Sequence, residues 1–183
     1  MIRLVGPGGA GKTRTGSQLA ERLGVPFLDL DERFRVAVGD ISDSIDSRGY
    51  DAYASRNVHI YGELAGAVDR ECVLALSSGF MTYREDIHPE YAGFRQEIGT
   101  SPSTFVLLPS LDLETCVAET VRRQLGRPFR RSAEREEQVI RARFSAYRDL
   151  PATKVETLRP VAEVVDELVA MIVARAAPDA AHV

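Results

Sequence analysis

Residues 6–13 read GPGGAGKT and directly follow the apolar run IRLV at 2–5. No other stretch restricts the fold as much. The pattern G-x-x-x-x-G-K-T puts Gly6, Gly11, Lys12 and Thr13 in the defining places of a loop that wraps phosphate. Glycines at 6, 8, 9 and 11 open backbone angles closed to other residues, so that several N–H groups can converge on one anion. The expected nucleotide-binding set is Gly8, Gly9, Ala10, Gly11, Lys12 and Thr13. Lys12, in a loop expected to face solvent, supplies a point charge for the β- and γ-phosphates, and the Thr13 hydroxyl a ligand for Mg²⁺. The loop requires a strand before it and a helix after it. IRLV reads as a buried strand, and KTRTGSQLAERLG as a helix ending at Gly24. Such a helix points its positive dipole end at the phosphate.

The rest of the chain continues that rhythm. PFLDL, CVLALS, TFVLL and TKVET read as four more strands, with helix patterns near 12–23, 31–38, 55–69, 90–98, 112–124, 134–149 and 161–174. This alternation predicts an α/β fold: a three-layer α/β/α sandwich on a five-stranded parallel sheet, with ligands beyond the carboxyl ends of the strands. One domain over 1–174 suits the length, and the tail 175–183 is expected to be disordered. Two stretches read as insertions. Residues 40–54, DISDSIDSRGYDAYA, are polar and turn-rich, and fall in a substrate-binding region at about 32–62. Residues 122–135 carry arginines on both sides of Gly126 and Pro128, where a nucleotide enzyme places a mobile lid.

Composition excludes several classes. Net charge is −4, which argues against nucleic acid as a partner. No apolar run approaches a membrane span, and none that resembles a signal peptide precedes the first strand, so no membrane role and a cytoplasmic location are expected. Of 23 basic residues only Lys12 and Lys154 are lysines, so a lysine inside the loop stands out from an arginine background. Cys72 and Cys116 lack metal or redox spacing, as do His59, His88 and His182; reduced structural thiols and a monomer are expected.

The strands also say which phosphate-loop chemistry fits. VLALSSGF ends without the carboxylate that motor ATPases place there, and Asn57 is the sole asparagine, so a guanine-reading N-K-x-D cannot exist. A kinase that passes the γ-phosphoryl to a hydroxyl remains. Its acids stand in PFLDLDERF: in an extended segment Asp29 and Asp31 face one side, one toward Mg²⁺, the other toward the acceptor hydroxyl. The competing reading makes Asp31 a helix cap and leaves Asp29 in solvent.

GPGGAGKT, LAERLGVPFLDLDERF, LGRPFR and RFSAYRDLPATKVET together resemble the shikimate kinase family, from residue 1 to about 172. The resemblance implies phosphorylation of a shikimate hydroxyl by ATP with Mg²⁺, under a mobile lid. By the same resemblance Asp31 holds the acceptor hydroxyls and serves as base, and Asp29 supports the Mg²⁺ bound by Thr13. Arg56 and Arg143 grip the acceptor carboxylate beside Ser78 and Gly79, Arg127 is the lid arginine that acts with Lys12 and Asp31 in catalysis, and Arg123 and Pro160 flank the adenine. Arg143 also shares a helix face with Ile140 and Tyr147, an uncommon place for a charge unless an ion pair or a substrate carboxylate meets it.

Departures cluster in the acceptor site. Ser77-Ser78-Gly79 replaces the family's three glycines, His59 its glutamate, and SSGFMTYRED is similar to a stretch of gluconate kinases. The acceptor is therefore expected to be a polyhydroxy carboxylate, shikimate first, with gluconate or another cyclitol acid as the alternative. A nucleotide-binding regulatory module without transfer is the alternative of a different class.

Overall fold

The computed structural model describes residues 1–67, 71–126 and 132–176. Five parallel strands, β1 (Ile2–Val5), β2 (Phe27–Asp29), β3 (Val73–Ala75), β4 (Thr104–Leu108) and β5 (Thr153–Glu156), form one sheet in the order β2-β3-β1-β4-β5. Leu4 pairs with Ala75 on one side and Phe105 on the other, which fixes β1 at the centre. Side chains alternate across the sheet and divide the core in two. Leu4, Val73, Phe105 and Leu107 face α1 (Lys12–Leu23) and α8 (Val161–Ala176); Val5, Leu74, Val106 and Leu108 face the other layer. That layer comprises α2 (Leu30–Val38), α3 (Ile41–Arg48), α4 (Tyr50–Ala67), α5 (Tyr91–Thr100), α6 (Leu113–Leu125) and α7 (Ala133–Arg148). The expected three-layer α/β architecture is present. No helix among the described residues is long and apolar enough to cross a membrane.

Two sequence expectations need correction. Residues 40–54 are not turn-rich: they are α3 and the first turn of α4. Asp40 caps α3 by accepting from the Ser42 and Asp43 amides, which sets the helix despite its polar sequence. No residue of α3 is buried, and only Ile41 and Ile45 pack against the core, so no apolar stripe announces it. The second concerns PFLDL. Its strand stops at Asp29, and Asp31 lies in the first turn of α2 rather than in extended chain. Asp29 is the cap, accepting from the Asp31 and Glu32 amides.

The end of the helix expected at 55–69, residue Arg127 and the centre of the expected lid, and the tail beyond 176 lie outside the described residues. The lid's flanks are ordered helix: α6 runs to Leu125, and α7 starts at Ala133 behind the Ser132 cap.

Candidate active site

The carboxyl end of β1 leads directly into the phosphate loop. Gly6, Gly9 and Gly11 all have positive φ, and a Cβ on Gly6 would stand 2.2 Å from the Leu107 carbonyl oxygen of β4. The loop is thus pressed onto the sheet and has one shape. Lys12 is not solvent-facing, contrary to expectation: it is 9% exposed, and its Nζ donates to the carbonyls of Gly6 at 2.7 Å and Pro7 at 3.0 Å. The ammonium curls over its own loop, close to where phosphate oxygens would arrive.

A brace holds the loop from behind. Thr157 donates its hydroxyl to the Ala10 carbonyl at 3.0 Å. Arg123, on α6, donates to the Gly9 carbonyl at 3.2 Å and to the Thr157 carbonyl at 2.7 Å. Its Nε donates to Glu119 at 2.6 Å, and the arginines at 122 and 123 together hold that carboxylate down to about 2. The edges of the Arg123 guanidinium are therefore engaged, while it lines a cleft of about 660 Å³ with Gly11, Arg14, Arg159 and Pro160. A planar cation over such a cleft suits a nucleobase face. Arg123 and Pro160 share one cleft.

A smaller hollow of about 100 Å³ lies on the other side of the loop, lined by Lys12, Thr13, Asp29, Asp31, Ser78 and Gln124. Thr13 donates its hydroxyl to Asp29 Oδ2 at 2.8 Å while Asp29 Oδ1 caps α2, so one carboxylate joins the loop to the acceptor-side helix. A hydroxyl and a carboxylate beside a phosphate position fit Mg²⁺, which takes few protein ligands and completes its shell with phosphate and water oxygens. Among the described residues no group of three or more His, Cys, Asp and Glu gathers as a metal cage.

The far side of the hollow is built from side chains. Ser77 donates its hydroxyl to Asp31 Oδ1 at 2.5 Å. Tyr53 is hydrogen-bonded to both Ser77 and Tyr83; burial first, then the nearby Asp31 charge, pushes its phenol up to about 12. Tyr83 donates in turn to Asn57 Oδ1 at 3.1 Å. Asp31 thus stands at one end of a chain of hydroxyls that runs into the core. Beside it, the Ser78 carbonyl accepts from the Tyr147 hydroxyl at 2.8 Å and from Arg143 Nη1 at 3.4 Å. Arg143 Nη2 donates to the Tyr50 hydroxyl at 2.9 Å. Gly79 lies beneath this pair: a Cβ there would meet the Tyr50 oxygen at 2.5 Å and Arg143 at 3.1 Å, so any side chain at 79 would displace the Tyr50 hydroxyl.

Gly8, Gly9, Gly11, Lys12, Thr13, Asp29, Asp31 and Ser78 therefore line one hollow, with Gly79 and Arg143 next to it. Arg143 is in no ion pair among the described residues; its partners are a phenol and a carbonyl. Arg56 is half-buried on α4, and no hydrogen bond or ion pair among the described residues ties it to Arg143. Sequence reasoning passed over Tyr50, Tyr53 and Gln124. Tyr50 and Tyr53 are three apart at the start of a helix, a spacing visible only once 50–54 is read as helical. Gln124 is buried against Gly8, where a Cβ on the glycine would stand 2.6 Å from its Nε2.

The parallel sheet, the glycine loop on its central strand and the threonine–aspartate corner define a phosphate-loop α/β protein that can seat a nucleoside triphosphate. A model of the family described as shikimate kinase matches residues 8–173, and the chain belongs to the shikimate kinase family. Shikimate kinase from Baumannia cicadellinicola subsp. Homalodisca coagulata is 38% identical over 85 residues, 46% of this chain and 48% of that one. The chain thus spans about half the length of the curated relatives it matches. Shikimate kinase from Acinetobacter baumannii, in complex with shikimate, superposes with a TM-score of 0.72 at 27% identity, covering 95% of this chain and 93% of that one. A gluconokinase from Sinorhizobium meliloti 1021 shares the fold at a TM-score of 0.63 and 20% identity, covering 96% of this chain and 92% of that one.

Proposed function

We propose that the chain is a Mg·ATP-dependent kinase that phosphorylates a hydroxyl of a polyhydroxy carboxylate, with shikimate as its acceptor. The observation that carries this reading is that Asp31 and Lys12 line one small hollow. An acid that can take a hydroxyl proton faces the place where the γ-phosphate would lie.

In this reading the loop amides and Lys12 hold the β- and γ-phosphates, and Lys12 leaves its two carbonyl partners to do so. Mg²⁺, held by Thr13 with Asp29 behind it, would neutralise charge on the phosphate oxygens. Ser77 keeps Asp31 Oδ1 occupied, which leaves Oδ2 to orient the acceptor hydroxyl. That hydroxyl gives its proton to Asp31 as its oxygen bonds to the γ-phosphorus. The bond from phosphorus to the β,γ-bridging oxygen breaks, and ADP departs. Arg143 and Arg56 hold the acceptor carboxylate, Arg127 closes over the transferring group, and Arg123 with Pro160 flanks the adenine. Residues 32–62 form the acceptor side, and the enzyme works as a cytoplasmic monomer.

The test couples ADP release to a visible signal, with shikimate, gluconate and other hydroxy acids supplied in turn. ADP that depends on shikimate supports the reading. Preference for gluconate would install the sugar-acid alternative, which the side chains of Ser77 and Ser78 favour because they narrow a site built from glycine in the family. Nucleotide binding with no acceptor-dependent ADP would leave a regulatory module.

A further inference from the structure

Arg143 lies on the face of α7 shared with Ile140 and Tyr147, which are 1% and 0% exposed. A cation in such a place needs acceptors. Here it has two neutral ones, the Ser78 carbonyl and the Tyr50 phenol. The phenol oxygen stands over Gly79, directly beside Nη2, in the position a carboxylate oxygen would take to meet the same guanidinium. Its ring rests edge-on and tilted against Tyr83 and Tyr53, with centroids 5.9 and 5.8 Å away. Tyr50 is nonetheless 40% exposed, and the α3 helix before it has no buried residue. Gly49 joins the two at φ +86°, so the backbone on the amino side of Tyr50 is set by glycine geometry rather than by packing.

We infer that Tyr50 guards Arg143: its hydroxyl occupies the acceptor's carboxylate position in the free enzyme and must leave before the acceptor docks. The inference rests on the proposed carboxylate grip by Arg143. A guard of this kind adds the same penalty to every occupant. An acceptor with a carboxylate regains it through charge-assisted contacts, whereas a neutral polyol offers only another hydroxyl and no net gain. Tyr50 thus sets an affinity threshold: discrimination between acid and polyol stays with Arg143, and the guard lifts the concentration at which any weakly held occupant binds.

Tyr50→Phe keeps the ring and removes the hydroxyl. The expected result is a fall of about fivefold to tenfold in the KM for shikimate, and an equal fall for shikimate carboxamide, with the ATP KM as an internal control. In an Arg143→Ala background the same substitution changes neither KM, because nothing is left to guard. Binding can be followed without turnover. The chain has no tryptophan, so its emission comes from six tyrosines, and the difference between wild type and Tyr50→Phe reports on Tyr50. Titration with shikimate in the absence of ATP changes that emission in the wild type and not in Tyr50→Phe. A raised or unmoved KM in Tyr50→Phe, or an equal emission change in both proteins, overturns the guard. If the emission changes but no ADP forms, the kinase reading fails while the guard stands.

Discussion

The two halves of the site are made of different materials. On the nucleotide side the chemistry is carried by backbone: three glycines at positive φ, carbonyls that park Lys12, and an arginine whose donors brace the loop from behind. On the side proposed for the acceptor it is carried by side chains that reach one another across the chain, such as Ser77 to Asp31 and Arg143 to Tyr50. The backbone groups of the nucleotide side can be moved only by changing the fold, which leaves few side chains, Lys12 above all, open to substitution. A side made of side chains can be retuned residue by residue, and Ser77 and Ser78, which stand where the family has glycines, lie there.

The largest expected effect tests the backbone half. Lys12→Ala should lower turnover by about 10³-fold or more, because a cation aimed at the developing charge is lost. It should also lower the melting temperature. Lys12 is 9% exposed, and truncation strips the Gly6 and Pro7 carbonyls of their donor, at about 1–3 kcal/mol. Unchanged turnover would remove the loop from the chemistry and dissolve the contrast.

Next comes the residue where the halves meet. Asp31→Asn should reduce kcat by about 10²–10⁴-fold while the ATP KM stays near its wild-type value. Steady-state kinetics with both substrates varied decides it: a shift confined to the ATP KM would move Asp31 to the nucleotide side.

A smaller effect is expected from the acceptor half alone. Arg143→Ala, and in the same direction Arg56→Ala, should raise the acceptor KM by about 10–100-fold. With shikimate carboxamide the Arg143→Ala penalty should shrink, since the charge it met is already absent. Equal use of acid and amide by the wild type would exclude a carboxylate grip.

The smallest effect concerns stability on the nucleotide side. Glu119 has its carboxyl lowered from 4.5 to about 2 by Arg122 and Arg123. A depressed folded value means that ionised Glu119 stabilises the protein fully above pH 4.5, and that this contribution fades as the pH falls toward 2. Glu119→Gln should therefore melt below the wild type at neutral pH, and the gap should narrow in acid. A gap independent of pH would mean that Glu119 acts by packing alone.

The same division explains what was legible in the sequence. Strands buried on both faces, such as Thr104–Leu108, read as continuous apolar runs, and α1 ends at Gly24 as expected, in a left-handed cap. The phosphate loop was readable because glycine marks backbone geometry. α3 was not, since its hold on the core is Ile41 and Ile45 alone, too short a stripe to set a period. The relation of Asp29 to Asp31 depended on where a strand stops, which is the least legible boundary in a chain. The contact between Tyr50 and Arg143 spans 93 positions, and no local pattern encodes it. The buried state of Lys12 followed from loop curvature, which lysine itself does not announce.

The central place of β1 has a further consequence. The loop hangs from a strand paired on both sides, so opening it means breaking the sheet, and β1 amides should exchange with deuterium only through global unfolding. α3, with no buried residue, can open and close without that event, and its amides should exchange sooner. Substitutions in α3 are likewise almost free of the stability threshold that screens substitutions near β1. The sequence of α3 can therefore drift while the strand that carries the phosphate loop stays fixed.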